Sequence, residues 1–135
     1  MDAVRISPTL RSVLTVAAGT RPHEECCGLL AGRQGVITRV FPATNVASDP
    51  ARRYEIAPQE IVRFMREMRA TGLEFLGIYH SHPNGENVPS PRDIEMAYYS
   101  EEAYFIISPL PDAPRPVRAF AIRDGRATEL TIEIS

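Results

Sequence analysis

The sequence contains no lysine. All 15 basic side chains are arginine, and 17 acidic ones bring the net charge to −2. No isopeptide bond can therefore be built on a lysine of this chain. The charges are dispersed, so no basic footprint for nucleic acid stands out and no polybasic patch faces a membrane. Cysteine is also scarce, with only Cys26 and Cys27, adjacent to one another. Neighbouring cysteines rarely reach disulfide geometry and there is no third to pair with, which excludes a disulfide scaffold and favours a reducing cytoplasm. No apolar run approaches the roughly 18–20 residues of a membrane helix. The stretch Val13–Ala18 is weakly apolar and broken by Thr15, and Asp2 precedes it. It reads as part of an amphipathic helix rather than a secretory leader.

What remains is ordinary globular material. A chain of 135 residues, 44% hydrophobic and 24% charged, is large enough for one α/β domain over residues 1–135 with its own core. Residues 3–6 suggest a short strand. Ser7-Pro8 reads as the start of a helix, with Leu10, Val13, Leu14 and Ala17 on its apolar face and Gly19 as its stop. Cys26–Ala31 reads as a buried strand joined through Gly35 to a second, Val36–Phe41. A loop over 42–51 and a short strand over Arg53–Ala57 precede a helix opened by Pro58, with Ile61, Phe64, Met65 and Met68 on one face. Phe75–Ser81 is a further strand. Ser90-Pro91 opens a third helix, expected to run to about Tyr99. Three strands follow, Tyr104–Ser108, Val117–Ile122 and Thr128–Ile134, the last two separated by Asp124-Gly125. The fold class expected is α/β or α+β: one mixed sheet flanked by about three helices.

The chemistry concentrates in Gly77-Ile-Tyr-His80-Ser81-His82-Pro83 and, beyond a Pro/Gly/Asn loop, Ser90-Pro91-Arg92-Asp93. Positions i and i+2 of a strand share a face, so His80 and His82 can present two imidazoles to one ion. Asp93 falls in the first turn of the third helix. Two neutral imidazoles and a carboxylate form a catalytic zinc set, the fourth position being left to a water acidified to a pKa of about 7. The same residues allow plainer roles. A His-x-His pair can simply pack, and Ser90 with Asp93 fits a helix capping box. Before the first buried strand stand Glu24 and Glu25, either of which can move protons if burial lifts its pKa; both also fit a solvated turn. His23 reads as a surface residue. Cys26 and Cys27 read as packed strand residues without the basic neighbour a nucleophilic thiol needs.

Together these motifs resemble the JAMM, or MPN+, metalloprotease family, whose signature is a Glu, then His-x-His-Pro, then Ser and Asp three residues apart. The resemblance covers residues 22–93 by motif. It implies a cytidine-deaminase-like curved mixed sheet flanked by helices. It implies one zinc held by His80, His82 and Asp93, with Glu25 as the catalytic glutamate and Ser90 as the serine that helps stabilise the oxyanion. The compact length is similar to the stand-alone prokaryotic members, which cleave peptide or isopeptide bonds after the C-terminal tail of ubiquitin-like or sulfur-carrier proteins. Such a tail is expected to lie extended beside the sheet near His80, pairing as a strand would, with the loops Asn45–Arg53 and Pro83–Pro89 as rims. No nucleic acid or membrane partner is expected, and a homodimer is left open. Two other readings stay open at this point. One is a RadC-like DNA-repair-associated protein, similar over residues 80–93. The other is a non-catalytic MPN scaffold or binding module.

Overall fold

The computed structural model describes residues 2–135. Its elements run β1 (Ala3–Ile6), α1 (Leu10–Thr20), β2 (Cys27–Arg33), β3 (Val36–Ala43), α2 (Pro58–Ala70), β4 (Glu74–Ser81), α3 (Pro91–Glu95), β5 (Ala103–Ile107), β6 (Val117–Arg123) and β7 (Arg126–Ile134). The strands are ordered β1-β3-β2-β4-β5-β6-β7, and β7 pairs in parallel with β1. The expected mixed sheet with three helices is present, and it also closes on itself. Two tight turns help set its registers. Gln34-Gly35 (φ 54° and 76°) and Asp124-Gly125 (φ 50° and 75°) both adopt the left-handed conformations of a two-residue hairpin loop.

Period-two alternation divides the core between the two faces of the sheet. Leu30, Tyr79 and Phe105 face α1, whose Leu10, Leu14 and Ala18 complete one cluster. Leu29, Ile78 and Ile106 face the other way and pack with Phe64 and Met68 of α2. On β4, His80 follows Ile78 at a spacing of two and so belongs to the α2 face. Gly28 of β2 sits where a Cβ would collide with the Phe41 carbonyl oxygen and with the Tyr79 ring, so only glycine lets these chains approach so closely.

Four expectations are corrected. Helix α1 starts at Leu10, not after Ser7. Thr9 is the N-cap, and the Ser7 carbonyl accepts from the Leu10 N–H at 3.2 Å, which leaves Pro8 in the preceding turn. Its buried stripe is Leu10, Leu14 and Ala18, spaced four apart, while Val13 is exposed. The strand expected over Arg53–Ala57 reduces to one bridge, Ile56 to Asn45. Helix α3 stops at Glu95 rather than near Tyr99. The Tyr99 N–H donates to the Tyr104 hydroxyl at 3.1 Å and its ring meets Phe75 edge-on at 5.1 Å, which draws the chain out of helical geometry.

Strand β4 is paired on both sides, by β2 and β5. A substrate tail therefore cannot add itself to β4 beside His80, because that backbone has no free donors or acceptors. Among the described residues, no helix is long and apolar enough to cross a membrane.

Candidate active site

Three elements converge at the end of β4. The antiparallel register pairs Cys27 with His80, and the Ser81 N–H reaches the Cys26 carbonyl at 3.0 Å. Carried two residues further, that register sets Glu25 across from His82. The His82 N–H donates to the Ile107 carbonyl at 2.9 Å, so the extended backbone continues past the end of β4. His80, His82 and Glu25 thus share the face of the sheet that α2 covers, and α3 brings Asp93 against them.

The donor atoms meet closely. The Nε2 atoms of His80 and His82 lie 3.0 Å apart, and Asp93 Oδ2 is 3.2 Å from the first and 3.1 Å from the second. Ligands bonded at 2.0–2.2 Å around a tetrahedral zinc would be separated by about 3.3–3.6 Å, only a few tenths more. His82 Nδ1 engages the Glu86 carbonyl. As a donor there it leaves the Nε2 lone pair facing inward, the arrangement that typically orients metal-binding histidines. Glu25, His80 and His82 also offer ligand atoms that all lie within 4.8 Å of one another. Two carboxylates therefore flank the histidine pair, and they differ. Asp93 Oδ2 contacts both rings and accepts the Ser90 N–H at 2.9 Å, whereas Glu25 Oε1 is buried with no hydrogen-bond partner. His80 Nδ1 is likewise buried and unpartnered. Converging imidazoles, an anchored carboxylate and the orphaned Glu25 oxygen beside them fit a metal cation in this site.

Electrostatics separate the roles further. Burial pushes the Glu25 carboxyl up to about 7, where it can accept and return a proton near neutrality. Burial alone would also raise Asp93, but hydrogen bonds with His80 and His82 outweigh it and hold that carboxyl well below the usual range. Burial lowers His80 and so favours the neutral ring that a metal ligand needs. For His82 burial acts in the same direction, but the Asp93 contact and the Glu86 carbonyl overcome it and raise the ring. The cysteines are not activated. Burial pushes Cys27 up to about 12 and also raises Cys26, which lies half-buried just before β2 rather than within it.

Ser90 and Asp93 form the capping box that the sequence suggested. Ser90 Oγ accepts the Asp93 N–H at 3.0 Å, and the Asp93 carboxylate accepts from the Ser90 backbone. A hydroxyl keeps a donor while it accepts, so the cap leaves the Ser90 O–H available to a cleft of about 530 Å³ lined by Glu25, Arg52, His82, Pro83, Pro89 and Ser90. Both expected rim loops contribute to it. A smaller, mostly apolar cavity of about 160 Å³ lies against Asp93, bounded by Leu29, Ile61, Ile78 and Tyr104. His23 is exposed, and Glu24 is half-buried with its carboxylate directed to Arg21 at 3.5 Å.

The sequence reading missed Tyr54, whose ring stacks on His80 with centroids 4.5 Å apart and 22° between planes. It also missed Asn45, described below. Both sit in a loop without periodicity, where nothing in the spacing marks them.

Known proteins resemble this chain in sequence and in fold. A family model described as prokaryotic homologues of the JAB domain matches residues 8–123. A desampylase of Haloferax volcanii is 40% identical over 95 residues, 69% of this chain and 68% of that one. A probable TtuB-protein conjugate cleaving protease of Thermus thermophilus is 36% identical over 84% of this chain and 76% of its own length. A CysO-cysteine peptidase of Mycobacterium tuberculosis is 31% identical, with coverage of 88% and 83%. Among solved structures, a Desulfitobacterium hafniense protein superposes with a TM-score of 0.86 at 28% identity, covering 98% of this chain and 92% of that one. A structure described as JAMM, a metalloprotease-like zinc site in the proteasome and signalosome, shares the fold at a TM-score of 0.62 and 19% identity, with coverage of 96% and 97%. The chain belongs to the prokaryotic JAB-domain family.

Proposed function

We propose that this protein is a zinc metallopeptidase that hydrolyses the peptide or isopeptide bond following the C-terminal tail of a ubiquitin-like or sulfur-carrier protein. One observation carries the reading: two imidazole nitrogens and an anchored carboxylate oxygen meet within 3.2 Å beside a buried carboxylate whose Oε1 has no partner. A non-catalytic scaffold of this fold would have no use for that set. The names of the relatives supply the substrate class: a desampylase, a conjugate-cleaving protease and a CysO-cysteine peptidase.

In this reading His80, His82 and Asp93 hold zinc, which when bound supplies Lewis acidity and a water acidified to near neutrality. Glu25 takes a proton from the attacking water at its unpartnered Oε1. As the carbon–nitrogen bond breaks, it delivers that proton to the leaving amine. Ser90 donates its O–H to the oxygen of the scissile carbonyl as negative charge develops there. Tyr54 covers one face of the His80 ring and keeps water from it. The tail lies along the rim loops Asn45–Arg53 and Pro83–Pro89, since β4 has no free edge. Small residues, ideally Gly-Gly, precede the cut. The compartment assigned is the cytoplasm, with no nucleic acid or membrane partner, and the chain acts alone or as a homodimer.

The test is a panel of carrier proteins with short C-terminal extensions, incubated with zinc-loaded enzyme and read by intact mass. Cleavage after Gly-Gly that a chelator abolishes supports the proposal. Equal cleavage when Gly-Gly becomes Val-Val overturns the specificity, and no cleavage of any carrier overturns the function.

Ser90→Ala separates capping from catalysis. Loss of the cap is expected to cost about 1 kcal/mol of stability. Loss of an oxyanion donor should lower turnover about 10²–10³-fold. Melting and turnover measured on the same preparation decide the matter, and a melting shift with turnover intact removes Ser90 from the mechanism.

A further inference from the structure

The backbone of Glu25 is held from outside its own strand. Its N–H donates to the Pro50 carbonyl at 2.7 Å, and its carbonyl accepts from Asn45 Nδ2 at 2.9 Å. Asn45 uses all of its hydrogen-bonding capacity. The second Nδ2 hydrogen goes to the Arg53 carbonyl at 3.0 Å, and Oδ1 accepts the N–H groups of Ala47 at 3.0 Å and Glu55 at 3.1 Å. Two carbonyls against the nitrogen and two N–H groups against the oxygen leave one orientation of the amide. A carboxylate could accept from Ala47 and Glu55 but could not donate to Glu25 or Arg53.

The segment gripped between Arg53 and Glu55 carries Tyr54, whose ring stacks on His80. On one side, therefore, the amide fixes the residue with the orphaned carboxylate. On the other, it fixes the aromatic cover of a histidine in the metal set. On the opposite flank of Glu25, Ser81 Oγ accepts the Cys26 N–H at 2.9 Å and donates to the Glu24 carbonyl at 3.3 Å. The Glu25 side chain, free of hydrogen bonds at Oε1, thus depends on its clamped backbone for its position.

We infer that Asn45 is a positioning residue for the reaction: its side-chain amide ties Glu25 to the Tyr54 loop and so sets the proton-transferring carboxylate against the His80–His82 pair. The inference rests on the function proposed above. It concerns how Glu25 is placed, not whether zinc binds. A displacement of about 1 Å at a reacting group can cost about 10²-fold in rate, which is the scale expected when the amide is removed.

Asn45→Asp preserves size and both acceptor contacts while removing both donors. The zinc-loaded variant should keep one metal per chain and keep KM for a Gly-Gly-extended carrier, while kcat falls about 10²-fold. In the Glu25→Gln background the same substitution should cost little more, because the residue it positions has already lost its function. A wild-type kcat in Asn45→Asp, or penalties that multiply in the double variant, overturns the inference. Two readouts need no turnover. In the metal-free wild-type protein, both Nδ2 protons of Asn45 should exchange slowly with solvent. In the metal-free variant, the His80 ring protons should lose their shielding by Tyr54. Fast exchange in the wild type overturns the inference even if the variant fails to fold. Failure of the wild type to cleave any carrier, with the amide protected, instead overturns the function and leaves the clamp standing.

Discussion

Replacing both histidines, His80→Ala with His82→Ala, should leave a protein that carries little zinc and has no turnover above background. Each ring supplies one Nε2 to the convergence with Asp93, and a single carboxylate cannot retain a zinc that expects three protein ligands. His80 is 1% exposed, and truncating it opens a void beside Tyr54. A lowered melting point is expected as well and must not be mistaken for the metal effect. Two controls separate them. His82→Gln keeps a polar group near the Glu86 carbonyl without creating so large a void, and it should also bind zinc poorly. In the wild type, added zinc should raise the melting temperature by mass action, whereas in the double variant it should not. Full metal occupancy in the folded double variant would end the proposed ligand set.

Glu25→Gln should do the reverse: keep zinc and lose turnover by about 10²-fold or more. Glutamine matches the size of the side chain and leaves the backbone contacts to Pro50 and Asn45 untouched, so the clamp is preserved. What disappears is basicity. Burial raises the native carboxyl to about 7, so at neutral pH it can both take and return a proton; an amide can do neither. Stopped assays on zinc-matched samples of wild type and variant measure the effect. Near-normal turnover would remove Glu25 from the mechanism and make Glu24 the next residue to test, although its carboxylate is directed at Arg21.

The parts of this site that the sequence disclosed are those in which spacing alone dictates geometry. His80 and His82, two apart on a strand, had to share a face, and Ser90 and Asp93 carried the signature of a capping box. That Glu25 stands opposite His82 depends instead on the register between β2 and β4, a long-range pairing that neither strand announces. The length of α3 was hidden for a similar reason. The local signals continue to Tyr99, and a tertiary contact with Tyr104 overrides them. Arg53–Ala57 looked like a strand because its composition is right. Its N–H and C=O groups are drawn instead toward the Asn45 side chain and a single bridge. Tyr54 and Asn45 were illegible because their work is done by contacts in space, not by pattern.

The parallel pairing of Ala3–Ile6 with Thr131–Ile134 also bears on how the molecule comes into being. Synthesis proceeds from the amino end, so β1 is made before the other strands of the sheet and can pair early with only Arg5 and Ile6 against β3. Its other partner, β7, is made after every other strand of the sheet. Until then the nascent sheet is open along β1 and β6. The residues of the proposed zinc set, His80 in β4, His82 just past it and Asp93 in α3, all precede β5 and are already available to one another. A metal that met the growing chain at that stage would find its donors before the barrel had closed.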